Sequence, residues 1–447
     1  MELKICFLLL YFVLVSGDLE NVKEEPGTAA NVTSVDIDTK PTIPVTVEPK
    51  RSHESSSDNS KQKRIKEKFG KKKSKKRSKA RKAAMGDTVL KGINKFAFDF
   101  HKTLPTNGSQ FYSPYSIAST LALVYAGSGG KTKKEIAAAL GWENSPQLVV
   151  HKSLGKFLAR LSSGKRSMKV ASRIWVYTFE LIRRKYKKTI TNYYGGKLGR
   201  LDFFNDPEGS RGAINKWVEE KTAGKIADLI PSGGITKETR FVLTNAVHFK
   251  ALWEHQFDPK QTSKQDFTTA ANKKIKLDMM RGTFDVTLKS SDTFLGVELP
   301  YKGNEFSMLI LLPKSTSLDV AERGLDSTAL EKMKSYKTPV EVIIPKFKLT
   351  SSYEILKNLK LLNIKSMFGS KADFSGMLAE KLSPLFVTDA IHKTFVQVTE
   401  KGTEAAAATA VFVGRSLTPV FRADQPFLFF IKDTKTNVIL FAGRFSP

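Results

Sequence analysis

Only one cysteine, Cys6, occurs among the 447 residues, and it falls inside the apolar run 5–15 near the start of the chain. A lone thiol closes no intrachain disulfide, so the folded chain must be held by packing rather than by covalent staples. That excludes small disulfide-dense scaffolds and calls for a large buried core. The composition can build one, with 40% hydrophobic and 10% aromatic residues.

The same run sets the expected compartment. Lys4 supplies a positive charge, the apolar stretch follows, and Val15-Ser16-Gly17 offers small residues for cleavage. The stretch is far shorter than the roughly 20 residues that span a bilayer. It reads as a secretory leader, residues 1–17, cut after Gly17. No later segment reads as membrane-spanning, so a secreted, extracellular and cysteine-free mature chain is expected. In that setting Asn31-Val32-Thr33 and Asn107-Gly108-Ser109 are candidate glycan acceptors at Asn31 and Asn107.

Charge is spread unevenly. Residues 18–60 are rich in Glu, Pro, Thr and Ser, with nine acids against four bases. Residues 61–82 then carry fourteen Lys or Arg against the single acid Glu67. Almost nothing apolar lies there, so 18–84 reads as a disordered N-terminal extension. Without the basic run the rest still holds +16 of the net +29. Such a balance attracts polyanions. With a secretory leader, sulfated glycosaminoglycans are expected rather than nucleic acid.

From about Thr88 the composition becomes that of a folded domain. Val89, Ile93, Phe96 and Phe100 recur at helical spacing, and helices are predicted again over 116–126, 132–140, 151–162 and 212–230. Strand-like runs cover 240–247, 306–312, 340–345, 395–398, 427–431 and 438–442. Helices and strands mix without regular alternation, which predicts one large α+β domain over 85–447.

Motifs for bond chemistry are missing. There is no Walker-type phosphate loop, no His-x-x-x-His pair and no Gly-x-Ser-x-Gly elbow. The six histidines are scattered without ligand spacing. No catalytic residue, metal or cofactor is expected, and the chain does not read as an enzyme.

The C-terminal motifs are specific. Glu400-Lys401-Gly402-Thr403-Glu404-Ala405-Ala406-Ala407-Ala408-Thr409-Ala410 resembles the hinge of inhibitory serpins, and Phe421-Arg422-Ala423-Asp424-Gln425-Pro426-Phe427-Leu428-Phe429 resembles the signature of that family. Phe111-Tyr112-Ser113-Pro114-Tyr115-Ser116-Ile117, Ala213-Ile214-Asn215-Lys216-Trp217-Val218, Thr244-Asn245-Ala246-Val247-His248-Phe249-Lys250 and Asp389-Ala390-Ile391-His392-Lys393 match in serpin order, from about residue 88 to Pro447. The resemblance implies the serpin fold: a central, mostly antiparallel sheet, surrounding helices and an exposed reactive-centre loop over about 400–421. It also implies a monomer that traps a protease by inserting this loop into the sheet as a new strand.

The hinge residues suit that chemistry. In an inserted strand Thr403, Ala405, Ala407 and Thr409 form one alternating set, all small and uncharged, while Glu404 lies on the other face. No proline interrupts 400–417, so every backbone donor is kept. Gly414-Arg415-Ser416-Leu417 resembles the cleaved segment of antithrombin, which makes Arg415–Ser416 the expected reactive bond and a trypsin-like, Arg-specific protease the expected partner. Counted from Gly402, the segment before Arg415 is one residue shorter than is usual in the family, and the usual count puts the cut after Ser416. The spacing from Arg415 to Pro426-Phe427 stays within the family's range. A deletion within Val411-Phe412-Val413 accounts for both counts, and Arg415 is preferred because serine gives a protease pocket little to recognise.

By the same resemblance Ser113, Ser116, Asn245 and His392 match the shutter beneath the opening sheet, and Trp253 the breach where the loop first enters. Lys152, Lys156 and Arg160 share a helix face at four-residue spacing, and with Lys165, Arg166 and Lys169 they fall where heparin-activated serpins bind glycosaminoglycan. Two other readings stand beside inhibition: a non-inhibitory carrier or chaperone on the same fold, and a polyanion- or matrix-binding protein driven by the basic tail.

Overall fold

The computed structural model describes residues 5–16, 83–162, 168–221, 228–249, 251–379, 385–402 and 418–447, together with Gly224. The domain opens on helix α1, residues 83–101, and Val89, Ile93, Phe96 and Phe100 are all fully buried on its inner face. Strand β2 (Gln110–Tyr112) leads into helix α2 (Pro114–Gly127). Ser113 caps α2 by accepting from the Ser116 N–H, and Pro114 at the first helical position loses no hydrogen bond there. All of α2 but Ala126 is buried, as a helix apolar on every side must be.

Around it lie α3 (Gly130–Ala139), α4 (Gln147–Ser162), α5 (Arg184–Tyr194) and α6 (Pro207–Lys221). Helix α6 is shorter than the predicted 212–230. Gly224, at φ +75°, takes the left-handed conformation, and its N–H returns to the Glu219 carbonyl, an arrangement that stops a helix. Leu229 and Ile230 are buried all the same, because the Asn215 amide exchanges two 2.9 Å hydrogen bonds with the Ile230 backbone.

Two sheets organise the rest. The first runs β11 (Phe347–Glu354), β12 (Leu385–Val398), β1 (Ile5–Ser16), β5 (Thr239–Phe249), β3 (Met168–Tyr177) and β4 (Lys197–Leu201). Every neighbouring pair in it is antiparallel except β3 with β4. The second has nine strands: β13 (Val420–Arg422), β10 (Lys334–Pro345), β7 (Lys274–Ser290), β8 (Phe294–Pro300), β9 (Phe306–Pro313), β14 (Phe427–Asp433), β15 (Ile439–Phe445) and β2, with β6 (Ser263–Thr268) on β7. Strands β9, β14 and β15 are buried along their whole length, as their largely apolar runs favour, and the charged Lys432, Asp433 and Arg444 buried with them are ion-paired to Glu298, Arg160 and Glu322. Phe111 of β2 stacks on Phe429 and Phe441 within the second sheet at 5.7 and 5.6 Å, and Phe347 of β11 meets Phe445 at 4.8 Å with rings tilted, which ties the first sheet to the second. Short helices α7 (Leu318–Arg323), α8 (Ser327–Lys332) and α9 (Leu356–Leu361) cover the margins. This is the expected α+β architecture.

Candidate functional site

The first sheet holds the feature that matters. The apolar run read as a leader, β1, lies between β5 and β12 and is antiparallel to both, so β5 and β12 are parallel to each other. Leu10 pairs in register with Asn245 on one side and with His392 on the other. Asn245 and His392 therefore share one row, separated by the width of one strand.

At the end of β12 the backbone is pinned. Trp253, 2% exposed and stacked on Tyr301 at 4.5 Å, donates its indole N–H to the Thr399 carbonyl at 3.0 Å. The Phe257 N–H donates to the Glu400 carbonyl at 3.0 Å. The Glu400 carboxylate is ion-paired with Lys346 Nζ at 2.9 Å and accepts from Thr262 Oγ1 at 3.0 Å. Burial alone would raise its pKa; hydrogen bonds from its own backbone, Lys346 and Thr262, with the Lys346 charge, bring it below the usual value. Gly402 follows at φ +69°, and a Cβ there would lie 2.0 Å from the Trp253 nitrogen. Only glycine can turn the chain back at this spot. A chain turning back here runs antiparallel to β12, the direction that β1 takes.

Deeper in the sheet His392 is fully buried on β12. Its Nε2 accepts from the Ser113 N–H at 3.1 Å, and Nδ1 has no partner among the described atoms. Burial lowers its pKa to about 3, so the ring is neutral. Ser113 Oγ donates to the Leu440 carbonyl and accepts from the Ser116 N–H. Thr394 Oγ1 donates to the Phe111 carbonyl, while Ser351 Oγ and Tyr353 Oη accept from the Phe111 N–H. These bonds join α2, β2, β11, β12 and β15 directly under the sheet.

The predicted residues are thus partly assembled. Ser113, Ser116 and His392 meet in one neutral network; Trp253, Glu400 and Gly402 meet at the end of β12. Sequence reading missed Lys346, Thr262, Thr394, Ser351 and Tyr353, whose partners lie far away along the chain. Asn245 takes its place in β5, with its side chain outside what is described. Thr403, Glu404, Ala405, Ala406, Ala407, Ala408, Arg415 and Ser416 lie outside the described residues, as do Asn31, Lys165, Arg166 and the Lys169 side chain. Asn107 is exposed, in a turn where Gly108 has φ +72°.

The cationic face of α4 differs from expectation at one residue. Lys152 and Lys156 are exposed, but Arg160 turns inward, half buried, with its guanidinium ion-paired to the buried Asp433 carboxylate at 2.5 Å. Its charge already has an internal partner, because the last turn of α4 lies against the end of β14.

Comparison with known proteins agrees with this geometry. A family model described as Serpin (serine protease inhibitor) matches residues 91–447. An uncharacterized serpin-like protein of Methanosarcina acetivorans is 36% identical over 367 residues, 78% of this chain and 86% of its own length. Among solved structures, a cleaved Serpin 42Da superposes with a TM-score of 0.74 at 28% identity, covering 81% of this chain and 99% of that one. Native protease nexin-1 with heparin gives 0.72 at 28% identity, covering 81% and 99%.

Proposed function

Because this chain belongs to the serpin family, we propose that it inhibits a trypsin-like serine protease by offering Arg415 as bait and inserting residues 403–414 between β5 and β12. One observation carries the reading. The position between those strands holds a strand of 12 residues antiparallel to both neighbours, and 12 residues separate Gly402 from Arg415. The segment 403–414 therefore has the length and, after the turn at Gly402, the direction to fill it.

The chemistry follows from the bait. A trypsin-like protease holds a carboxylate at the base of its specificity pocket, which selects Arg415. Its serine attacks the Arg415 carbonyl, the Ser416 amine leaves, and an ester joins Arg415 to the protease. Insertion of 403–414 then carries that ester to the far end of a strand about 40 Å long, at roughly 3.3 Å per residue. The acyl-enzyme is distorted before water can hydrolyse it. Inside the sheet the small Thr403, Ala405, Ala407 and Thr409 bury no charge. The loop's likeness to antithrombin favours a clotting- or immune-type cascade as its setting.

Export completes the reading. Removal of residues 1–17 on secretion vacates the position that β1 fills and leaves it to the loop. The +16 carried outside the basic tail, and the heparin seen with protease nexin-1, favour a sulfated glycosaminoglycan as a second partner.

The test is a denaturing gel of the secreted chain with trypsin and with thrombin, with and without heparin, followed by sequencing of the released C-terminal fragment. A stable covalent complex and a fragment beginning at Ser416 are expected. A fragment beginning at Leu417 would move the bait to Ser416. Clean cleavage without a complex would leave a carrier on the serpin fold.

A further inference from the structure

Helix α5 concentrates charge in a way that its folding does not require. Tyr186, Ile190 and Tyr194, four residues apart, are its buried face. Arg184, Lys185, Lys187 and Lys188 are exposed on the other side, and Arg183 is exposed at the cap. All five stand in the first turn and a half, where the helix dipole disfavours cations, and the first turn holds no acid. No ion pair among the described residues reaches any of them, and Arg183 only donates to the Leu378 carbonyl at 2.7 Å.

The neighbourhood adds to this charge rather than cancelling it. Lys133 of α3 lies close enough to Lys185 for their charges to repel. The acids on the flanking segments direct their carboxylates to other groups. Glu135 is bound to the Lys365 and Ser366 backbone and to Ser366 Oγ, Glu180 pairs with Arg240 at 3.5 Å, and Asp373 accepts from Ser375. Helix α5 also packs on α4 closely enough that a Cβ on Gly155 would meet the Tyr193 carbonyl at 2.7 Å. The lysines of α4 belong to its packed neighbour.

From this arrangement we propose that α5, with Lys133 beside it, is the principal surface on the folded domain for a sulfated polysaccharide. The assignment rests on the polyanion reading above and moves its site from α4 to α5. Five cations without an ion pair among the described residues give a linear polyanion more counterion release than the two lysines left on α4 once Arg160 is engaged. No aromatic ring stands among the cations of α5: Tyr186 and Tyr194 are buried, and the partly buried Tyr193, in the last turn, lies against His151 of α4 with ring centroids 6.4 Å apart. That favours sulfates over nucleic acid.

The secreted full-length chain is acylated at its lysines with and without a heparin oligosaccharide, and protection is read residue by residue by mass spectrometry. Lys185, Lys187 and Lys188 should be protected about five-fold or more, with Lys152 and Lys156 within about two-fold of the free chain. Unchanged labelling on α5 with protection on α4 or in residues 61–82 would overturn the assignment. Protection of no lysine at all would instead remove the polyanion reading itself. A DNA duplex giving the same α5 protection at equal charge would overturn the choice of sulfated polysaccharide. As a second readout, the fourfold variant Arg184→Gln, Lys185→Gln, Lys187→Gln, Lys188→Gln changes only exposed side chains. It should lower the slope of log affinity against log salt by about 3, and a slope equal to the parent's would count against the site.

Discussion

The rim and the middle of the proposed insertion site are built from opposite materials. At the end of β12 the chain is held by charge: a carboxylate, an ammonium and a hydroxyl close over Glu400, with Lys346 one-third exposed to solvent. In the middle of the sheet it is held by neutral groups alone, where His392 Nε2, Ser113 Oγ and Thr394 Oγ1 are buried and bond to backbone. A charged latch at the rim can be released locally and re-formed. A neutral network in the core cannot yield without moving α2, β2 and β15 together. Under the proposed insertion, the rim would govern when the loop starts to enter, and the core what full entry costs.

The largest effect should come from the core. His392→Ala removes the acceptor of the Ser113 N–H and leaves a cavity, and should cost about 3 kcal/mol in urea unfolding. A loss under about 0.5 kcal/mol would mean that the network is ornamental to stability. Gly402→Val comes next. Its Cβ would drive into the Trp253 and Leu252 backbone at a φ that valine avoids, and should cost about 2 kcal/mol. The two should part in function: the Gly402 variant should be cleaved as a plain substrate, while the His392 variant should still form some covalent complex. Equal complex yields would erase the distinction between rim and core.

Acid separates the rim from the middle as well. The His392 pKa is lowered to about 3 from an ordinary 6.5, so its contribution is complete above about pH 6.5 and drains away as pH falls toward 3. His151, lowered to about 4 by burial and by Lys133, acts in the same direction. Glu400 is also lowered, but from 4.5, so its contribution persists to lower pH and is lost only below that value. Thermal unfolding between pH 6.5 and 4.5 should thus report the histidines, and His392→Ala should flatten the slope in that window. A slope unchanged by the substitution would place the proton uptake elsewhere.

How much of this was legible in the sequence depends on the range of the contact. The small apolar run 116–126 announces a buried helix, and Val89 to Phe100 announce a buried face by spacing; both were found where expected, with the former helix starting two residues earlier, at Pro114. Gly402 could be named because it stands inside a quoted motif, and Trp253 by its position in the family resemblance. The Lys346–Glu400 pair could not, because 54 residues separate the partners and nothing in either neighbourhood points to the other. Arg160 shows the same limit from the other side: helical spacing put it beside Lys152 and Lys156, and only the fold brings Asp433 to meet it. The stop of α6 at Lys221 was hidden because Leu229 and Ile230 are apolar and buried, and burial alone does not distinguish a helix from a packed loop.

The smallest predicted effect is the sharpest probe of the rim. Lys346→Met and Glu400→Gln, singly and together, form a double-mutant cycle whose coupling should be about 1 kcal/mol or less, because the lysine is partly exposed and screened. The coupling should shrink further in high salt, a response the neutral His392–Ser113 bond does not share. Loosening the latch should also let the intact loop enter the sheet more readily on its own, read as faster loss of inhibitory activity on standing at 37 °C. Thr262→Ala, which removes one hydrogen bond to the same carboxylate and no charge, should move that rate in the same direction but less. If both variants lose activity no faster than the parent while the cycle still shows coupling, the ion pair stabilises the rim without gating entry, and control of insertion must lie with the core.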